Sequence, residues 1–305
     1  MAEDFPHNLA ELERRFAADE TCRAYLSRLR WPEGWVCPRC QHRQAWSLGR
    51  GLYRCRQCHY EVSVTAGTVF QDSHLPLTTW FRAIWFVTSQ KNGGSALGLQ
   101  RVLGLGSYKT AWALLHKLRR AMVRPGRDRL TGTVEVDETY WGGSEKGVMG
   151  RQTHDKALII IAAQEDGDGL GRIRLSRIPN ANRTTLHGFI AQAIEPGAVV
   201  RTDGFSAYQG LHGYVHQPRV QGRDPEAASK LLPRVHLVAS LLKRWLLGTH
   251  HGAMDQSYLD YYLDEFTFRF NRRKSASRGK LFYRLVQQAV QVSPATFDAI
   301  THHHR

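Results

Sequence analysis

Apolar residues recur at mixed three- and four-residue spacing through residues 7–30. Leu9, Leu12, Phe16, Tyr25, Leu26 and Leu29 predict an amphipathic helix there, ended by Trp31-Pro32-Glu33-Gly34. A second helix is expected over residues 77–90, with Trp80, Phe81, Ile84, Trp85 and Val87 as its apolar face. Residues 95–103 and 108–122 read as two helices joined through Gly104-Leu105-Gly106, with Ser107 as an N-cap and Leu114, Leu115, Leu118 and Met122 as core. The period then changes. Residues 133–137 alternate, Val134 and Val136 facing one way and Glu135 and Asp137 the other. Residues 156–164 form a continuous apolar run, the mark of a strand buried on both faces. Residues 171–178 alternate again, 184–194 read as a helix, and 198–203 as a further strand ending in Asp-Gly. Residues 219–232 are polar and predict a loop. Over residues 234–247, Leu237, Val238, Leu241, Leu242, Trp245 and Leu246 share one helical face, while His236, Ser240, Lys243 and Arg244 gather opposite. Helices over 255–274 and 281–291 complete the pattern.

Strands followed by a helix, a strand and more helices describe an α/β fold with a mixed sheet and helices packed on it. The divisions expected are an N-terminal helical segment (1–30), a small cysteine-bearing module (31–70), a helical region (75–124), a larger α/β domain (130–292) and a tail (293–305). At 305 residues, with 42% hydrophobic and 23% charged residues, the chain has the composition of a globular protein with a sizeable core. No apolar run is long enough to span a membrane, and the acidic, polar beginning lacks a signal core, so an intracellular location is expected.

Forty-two Lys and Arg against 27 acids give a formal charge of +15. So basic a balance attracts polyanions, nucleic acid first. Within the helical region, helix, glycine turn and longer helix form a helix-turn-helix pattern that offers Lys109, Lys117, Arg119 and Arg120 to DNA. Four of the five cysteines fall in two pairs, Cys37-Pro-Arg-Cys40 and Cys55-Arg-Gln-Cys58. Each pair sets two thiolates on a tight turn, and four thiolates complete a tetrahedral shell, so the spacing is that of a zinc ribbon holding structural Zn²⁺. With four cysteines available, His42 and His59 are not needed as ligands. Cys22, inside a helical segment, reads as a small buried hydrophobe.

Asp137 and Asp203 close two different strands of one plausible sheet, and His236 follows on a later helix. Carboxylates converging at strand ends suit a hard divalent cation, and two such metals catalyse phosphoryl transfer on DNA.

At this point the chain resembles the DDE-type insertion-sequence transposases that carry an N-terminal zinc ribbon, the ISXO-like group. The resemblance rests on Arg30-Trp-Pro-Glu-Gly-Trp-Val-Cys-Pro-Arg-Cys40, Val136-Asp-Glu-Thr-Tyr-Trp-Gly-Gly143, Arg201-Thr-Asp-Gly-Phe-Ser-Ala-Tyr208, Leu241-Leu-Lys-Arg-Trp-Leu-Leu-Gly-Thr-His250 and Leu263-Asp-Glu-Phe-Thr-Phe-Arg-Phe-Asn-Arg-Arg273. It implies a ribonuclease-H-like catalytic domain that nicks DNA at transposon ends and transfers the freed 3′-hydroxyl to target DNA. Asp137 and Asp203 fall on the family's first two acids, and Lys243, beside Arg244, matches a basic residue that touches DNA. The third ligand position is His236 where many relatives have Glu or Asn; Glu138 and Glu265 are the nearest substitutes. The catalytic metal implied is Mg²⁺ or Mn²⁺. Further implied are DNA as partner (transposon ends and target), an assembly of at least two copies, and a prokaryotic, nucleoid-associated location. The other reading is a DNA-binding regulator that kept the fold and lost catalysis.

Overall fold

The computed structural model describes residues 3–124, 126–143, 156–219, 231–250, 252 and 254–302. The chain divides into two compact units, Met1–Pro125 together with Lys274–Arg305, and Gly126–Arg273.

In the first unit, the single helix expected near the N-terminus is two, α1 (Leu9–Arg15) and α2 (Asp19–Arg30). Asn8 caps α1 by accepting from the Glu11 amide, and the break falls at Phe16, which turns inward to 5% exposure. There follow β1 (Ala45–Ser47), β2 (Leu52–Cys55) and β3 (Glu61–Ser63), a three-stranded antiparallel sheet. α3 (Leu77–Ser89) buries the apolar face expected of it. α4 (Ala96–Leu103) ends on Gly104, whose φ of 63° is the left-handed cap conformation that glycine adopts without strain. α5 (Tyr108–Ala121) starts at Ser107, whose hydroxyl accepts from the Lys109 amide.

The second unit holds β4 (Thr133–Trp141), β5 (Ala157–Asp166), β6 (Gly169–Ile178), α6 (Arg183–Ala193), β7 (Val199–Thr202), β8 (Val215–Pro218), α7 (Pro233–His250) and α8 (Leu259–Phe270). Its sheet has the order β6-β5-β4-β7-β8. The β4–β5–β6 meander is antiparallel, while β7 pairs with β4 and β8 with β7 in parallel. A mixed five-stranded sheet in that order is ribonuclease-H-like, as the resemblance implies. One face packs Val134, Val136, Ile160 and Val200 against Leu186 and Ile190 of α6. The other packs Ile159, Ile161 and Ala163 against Val235, Val238 and Leu242 of α7 and Leu259, Leu263 and Phe266 of α8. Both faces of β5 are therefore covered, which explains its unbroken apolar run. Strand β8 had no counterpart among the sequence expectations; most of the loop expected over 219–232 lies outside the described residues.

The chain then returns to the first unit. α9 (Arg278–Ala289) buries Leu281, Phe282, Leu285 and Val286 and packs on α3 and α2. The sequence division ran the α/β domain on to residue 292; the apolar face of α9 instead meets Phe81 and Trp85, with ring centroids 5.5 and 6.0 Å from Phe282. A short helix, α10 (Phe297–His302), lies in the stretch expected to be tail. Among the described residues no helix is long and apolar enough to cross a membrane.

Candidate functional site

The cysteine module is built from two matching turns. In the first, the Gln41 amide donates to the Cys37 carbonyl and the Cys37 amide to the His42 carbonyl; in the second, His59 and Tyr60 stand in the same relation to Cys55. Gln41 and His59 take the equivalent left-handed conformation, φ 63° and 57°. The turns bring the four Sγ atoms within 4.8 Å of one another. Cys37 and Cys58 lie 3.6 Å apart, and Cys40 and Cys55 3.5 Å. A disulfide would need ~2.05 Å, whereas a tetrahedron with ~2.3 Å metal–sulfur bonds has edges of about 3.8 Å. The spacing thus fits a metal shell and not a cross-link. Neither His42 nor His59 joins the cluster; the His59 ring lies parallel to Trp46 instead.

On the helical pair, Lys109 is exposed and Lys117 and Arg120 are half-buried. Arg119 does not belong with them. It is 2% exposed, its guanidinium 3.3 Å from His116 Nε2 inside the core, so it is out of reach of DNA. Helical spacing alone put it on the basic list; it sits one residue past Leu118, at the edge of the buried face.

The acids of the second unit are placed by strand register. The parallel ladder of β4 and β7 pairs Thr133 with Val199 and Glu135 with Arg201. Asp137 lies two residues beyond Glu135 on β4 and so faces the same side, because side chains alternate with a period of two; Asp203 lies two residues beyond Arg201, just past the end of β7. Asp137 pairs with Ile161 on the antiparallel side, so that side is the one covered by α7 and α8. Asp137 was expected to close its strand. In fact β4 continues to Trp141 against β5, and only its pairing with β7 stops short of Asp137. Backbone amides hold both side chains: the Glu138 amide donates to Asp137 Oδ1 at 2.8 Å, and the Phe205 amide to Asp203 Oδ1 at 3.1 Å.

Glu138 faces the opposite side of the sheet. Its Oε1 accepts from the Tyr208 hydroxyl at 2.6 Å, and Tyr208 belongs to the α6-side core. Burial, then the Glu138 carboxylate, then Asp137 and Asp203 hold the Tyr208 hydroxyl proton well above its ordinary range. Glu138 therefore braces the turn after Asp203 and does not stand beside Asp137. Glu265, the other substitute, is 1% exposed in α8, one turn from Arg269.

His236 is exposed on α7, next to Val235, which is buried against the sheet. Lys243 is half-buried on the same helix, its ammonium pKa lowered by burial and then by Lys156 nearby. Arg244 is exposed. Among the described residues the cysteine tetrad is the group of three or more His, Cys, Asp or Glu side chains gathered closely enough to hold one metal ion; Asp137, Asp203 and His236 do not form a second such group.

The first turn of α7 is held by a residue that the sequence reading passed over. Glu135, 1% exposed, accepts through Oε2 from the Arg234 and Val235 amides at 2.7 and 3.0 Å. Alternation had already set Glu135 on the Asp137 side, but its partner lies about a hundred residues away in sequence, beyond any local pattern.

Residues 17–61 match the model of a transposase zinc-ribbon domain, and residues 129–271 that of an ISXO2-like transposase domain. The chain is 27% identical to an uncharacterized protein in transposable element ISH50 of Halobacterium salinarum, over 84% of this chain and 92% of that one. A chain in the cryo-EM structure of the simian T-cell lymphotropic virus intasome in complex with PP2A regulatory subunit B56 gamma aligns over 67% of this chain and 72% of its own, at 14% identity and a TM-score of 0.31, too low to bear on the argument. With a ribbon of four metal-spaced cysteines ahead of a five-stranded mixed sheet, and with both segments matching transposase models, the chain belongs to the DDE-type insertion-sequence transposases that carry an N-terminal zinc ribbon.

Proposed function

We propose that this transposase binds the terminal inverted repeats of its element and catalyses metal-dependent strand cleavage and strand transfer. The observation that supports the reading is the parallel β4–β7 ladder, whose last pair, Glu135 with Arg201, stands two residues before Asp137 on the face that α7 covers and two residues before Asp203 just past β7. Those two carboxylates and the His236 imidazole would hold divalent metal, Mg²⁺ or Mn²⁺; an imidazole in the set suits Mn²⁺ better. When bound, a pair of such ions activates the attacking oxygen and stabilises the leaving one. Cleavage joins a water oxygen to phosphorus and breaks the phosphorus–O3′ bond, releasing the 3′-hydroxyl; in transfer that hydroxyl gives up its proton, its oxygen bonds to a target phosphorus, and the target's own 3′-oxygen leaves and takes up a proton.

The chain's own part is to grip and align. Lys243 and Arg244 on α7, with Lys109, Lys117 and Arg120 on the helical pair, supply cations for phosphates. Zn²⁺ on Cys37, Cys40, Cys55 and Cys58 fixes the ribbon. Joining two element ends calls for at least two copies of the chain, and work on the chromosome for a nucleoid location in a prokaryotic cytoplasm. The exposure of His236 favours one competing reading, a regulator that binds ends without cutting them.

One experiment separates the two. Linear DNA bearing candidate ends is incubated with the parent, Asp137→Asn, Asp203→Asn and His236→Ala proteins, with and without Mn²⁺. Either aspartate change should abolish cleavage while leaving end binding nearly intact, and His236→Ala should cut more slowly. Unchanged cleavage by either Asn variant refutes the assignment; binding without cleavage by the parent at any metal concentration favours the regulator.

A further inference from the structure

Two residues before Asp137 and Asp203 lie Glu135 and Arg201, paired in the β4–β7 ladder. They belong to a layer of four charges. Arg201 Nη1 meets Glu165 Oε1 of β5 at 2.5 Å, Arg234 Nη1 meets the same oxygen at 2.9 Å, and Arg234 Nη1 also meets Glu135 Oε1 at 3.1 Å. The other Glu135 oxygen accepts from the Arg234 and Val235 amides. Three adjacent strands and the start of α7 are tied together by two carboxylates and two guanidinium groups of zero net charge.

We propose that this layer positions the candidate metal site, with Glu135 seating the first turn of α7, and hence His236, against the strand that carries Asp137. The inference rests on the metal-ligand reading of Asp137, Asp203 and His236. First-turn amides of a helix have no acceptor within it, and a carboxylate there is favoured by the helix dipole. A serine or asparagine at the helix's own start would satisfy those amides as well. Here the acceptor comes instead from the strand that bears the candidate ligand, two residues away from it, and burying its charge is compensated by Arg234. Arg201 stands in the same relation to Asp203. Glu135 fixes where α7 begins relative to Asp137, and Arg234 holds Glu135. His236 follows Val235, whose amide Glu135 accepts, so a shift in that turn displaces the imidazole directly. Groups that orient metal ligands typically govern metal affinity by ~10–100-fold.

The test uses the full chain with Glu135→Gln, Glu135→Ala and Asp137→Asn, read by Mn²⁺ titration followed by electron paramagnetic resonance and by amide hydrogen exchange without added Mn²⁺. An amide has one carbonyl oxygen, so Gln serves the α7 amides or Arg234 but not both. Mn²⁺ affinity should fall ~10-fold or more in Glu135→Ala and by less in Glu135→Gln. Exchange should quicken over residues 234–240 and not over β5; a general loss of stability would loosen both alike. If Glu135→Ala does not fold, Glu135→Gln decides. A folded Glu135→Gln protein with the parent's Mn²⁺ affinity and the parent's exchange over 234–240 overturns the proposal. Should Asp137→Asn keep the parent's affinity, the metal-site reading has failed instead, and the exchange measurement still decides how α7 is seated.

Discussion

Cys22 and the four ribbon cysteines carry the same side chain in opposite surroundings. Cys22 is fully buried in α2, and burial, then the nearby Asp19 carboxylate, pushes its thiol up to about 12. Only a thiolate is nucleophilic, so Cys22 should resist iodoacetamide at pH 8 for as long as the fold holds. The ribbon thiolates should be shielded by metal and react after chelation. Mass analysis of labelled protein should thus give no adduct before chelation, up to four after it, and a fifth on unfolding; early labelling of Cys22 would contradict its burial. Gly279 makes a second case. It opens α9, where alanine would ordinarily be favoured by about 0.8–1 kcal/mol. A Cβ there would lie 1.8 Å from the Pro6 carbonyl oxygen, which is backbone and has little freedom to give way. Overpacking of this kind costs typically 1–3 kcal/mol, so Gly279→Ala should lower stability in a denaturant titration despite its better helix propensity.

On the scale of one element, α7 does two things with two faces. Its apolar side holds Val235, Val238, Leu242 and Leu246 on the sheet, and its polar side carries His236 and Lys243. Partial burial already disfavours the charge on Lys243. A phosphate beside it would restore that charge and hold it. Lys243→Ala should therefore weaken end binding about equally for all sequences and reduce the slope of log affinity against log salt by about 1; an unchanged slope would mean that no phosphate lies there. Most of both faces was legible in the sequence because a period of 3.6 shows itself within a few turns; Leu237, expected on the apolar face, lies at its edge and is 50% exposed. The setting of Asp137 was only partly legible: alternation gave its face, and the parallel pairing of β4 with β7, which brings the strand before Asp203 beside it, needed the structure. Nothing local could give the Glu135 contact to α7 or the burial of Arg119, since each depends on chain about a hundred residues off or on which edge of a helix packs inward. β8 escaped for another reason: four residues, Val-His-Gln-Pro, carry no readable alternation.

For the whole molecule, the telling feature is that the chain leaves the first unit at residue 125 and comes back to it at residue 274. From the sequence, helix after helix downstream of the sheet gave no reason to assign α9 elsewhere, because periodicity marks an apolar face and not what that face meets. Its Leu281, Phe282, Leu285 and Val286 are nearly inaccessible, and Phe282 sits among Phe16, Tyr25, Phe81 and Trp85. Burying each of those four side chains contributes about 1.5–3 kcal/mol, together about 6–12, an upper figure because the unfolded chain is itself partly collapsed. A whole domain is stable by only about 5–15 kcal/mol. Ending the chain at Arg273 should thus unfold the helical unit that offers Lys109 and Lys117 to DNA. The sheet should survive, since its two cores draw only on residues 130–270. Hydrogen exchange on the truncated protein would show the difference: α3 amides should lose protection while those of β5 keep it, and a protected α3 would mean that the first unit does not need its returning helix.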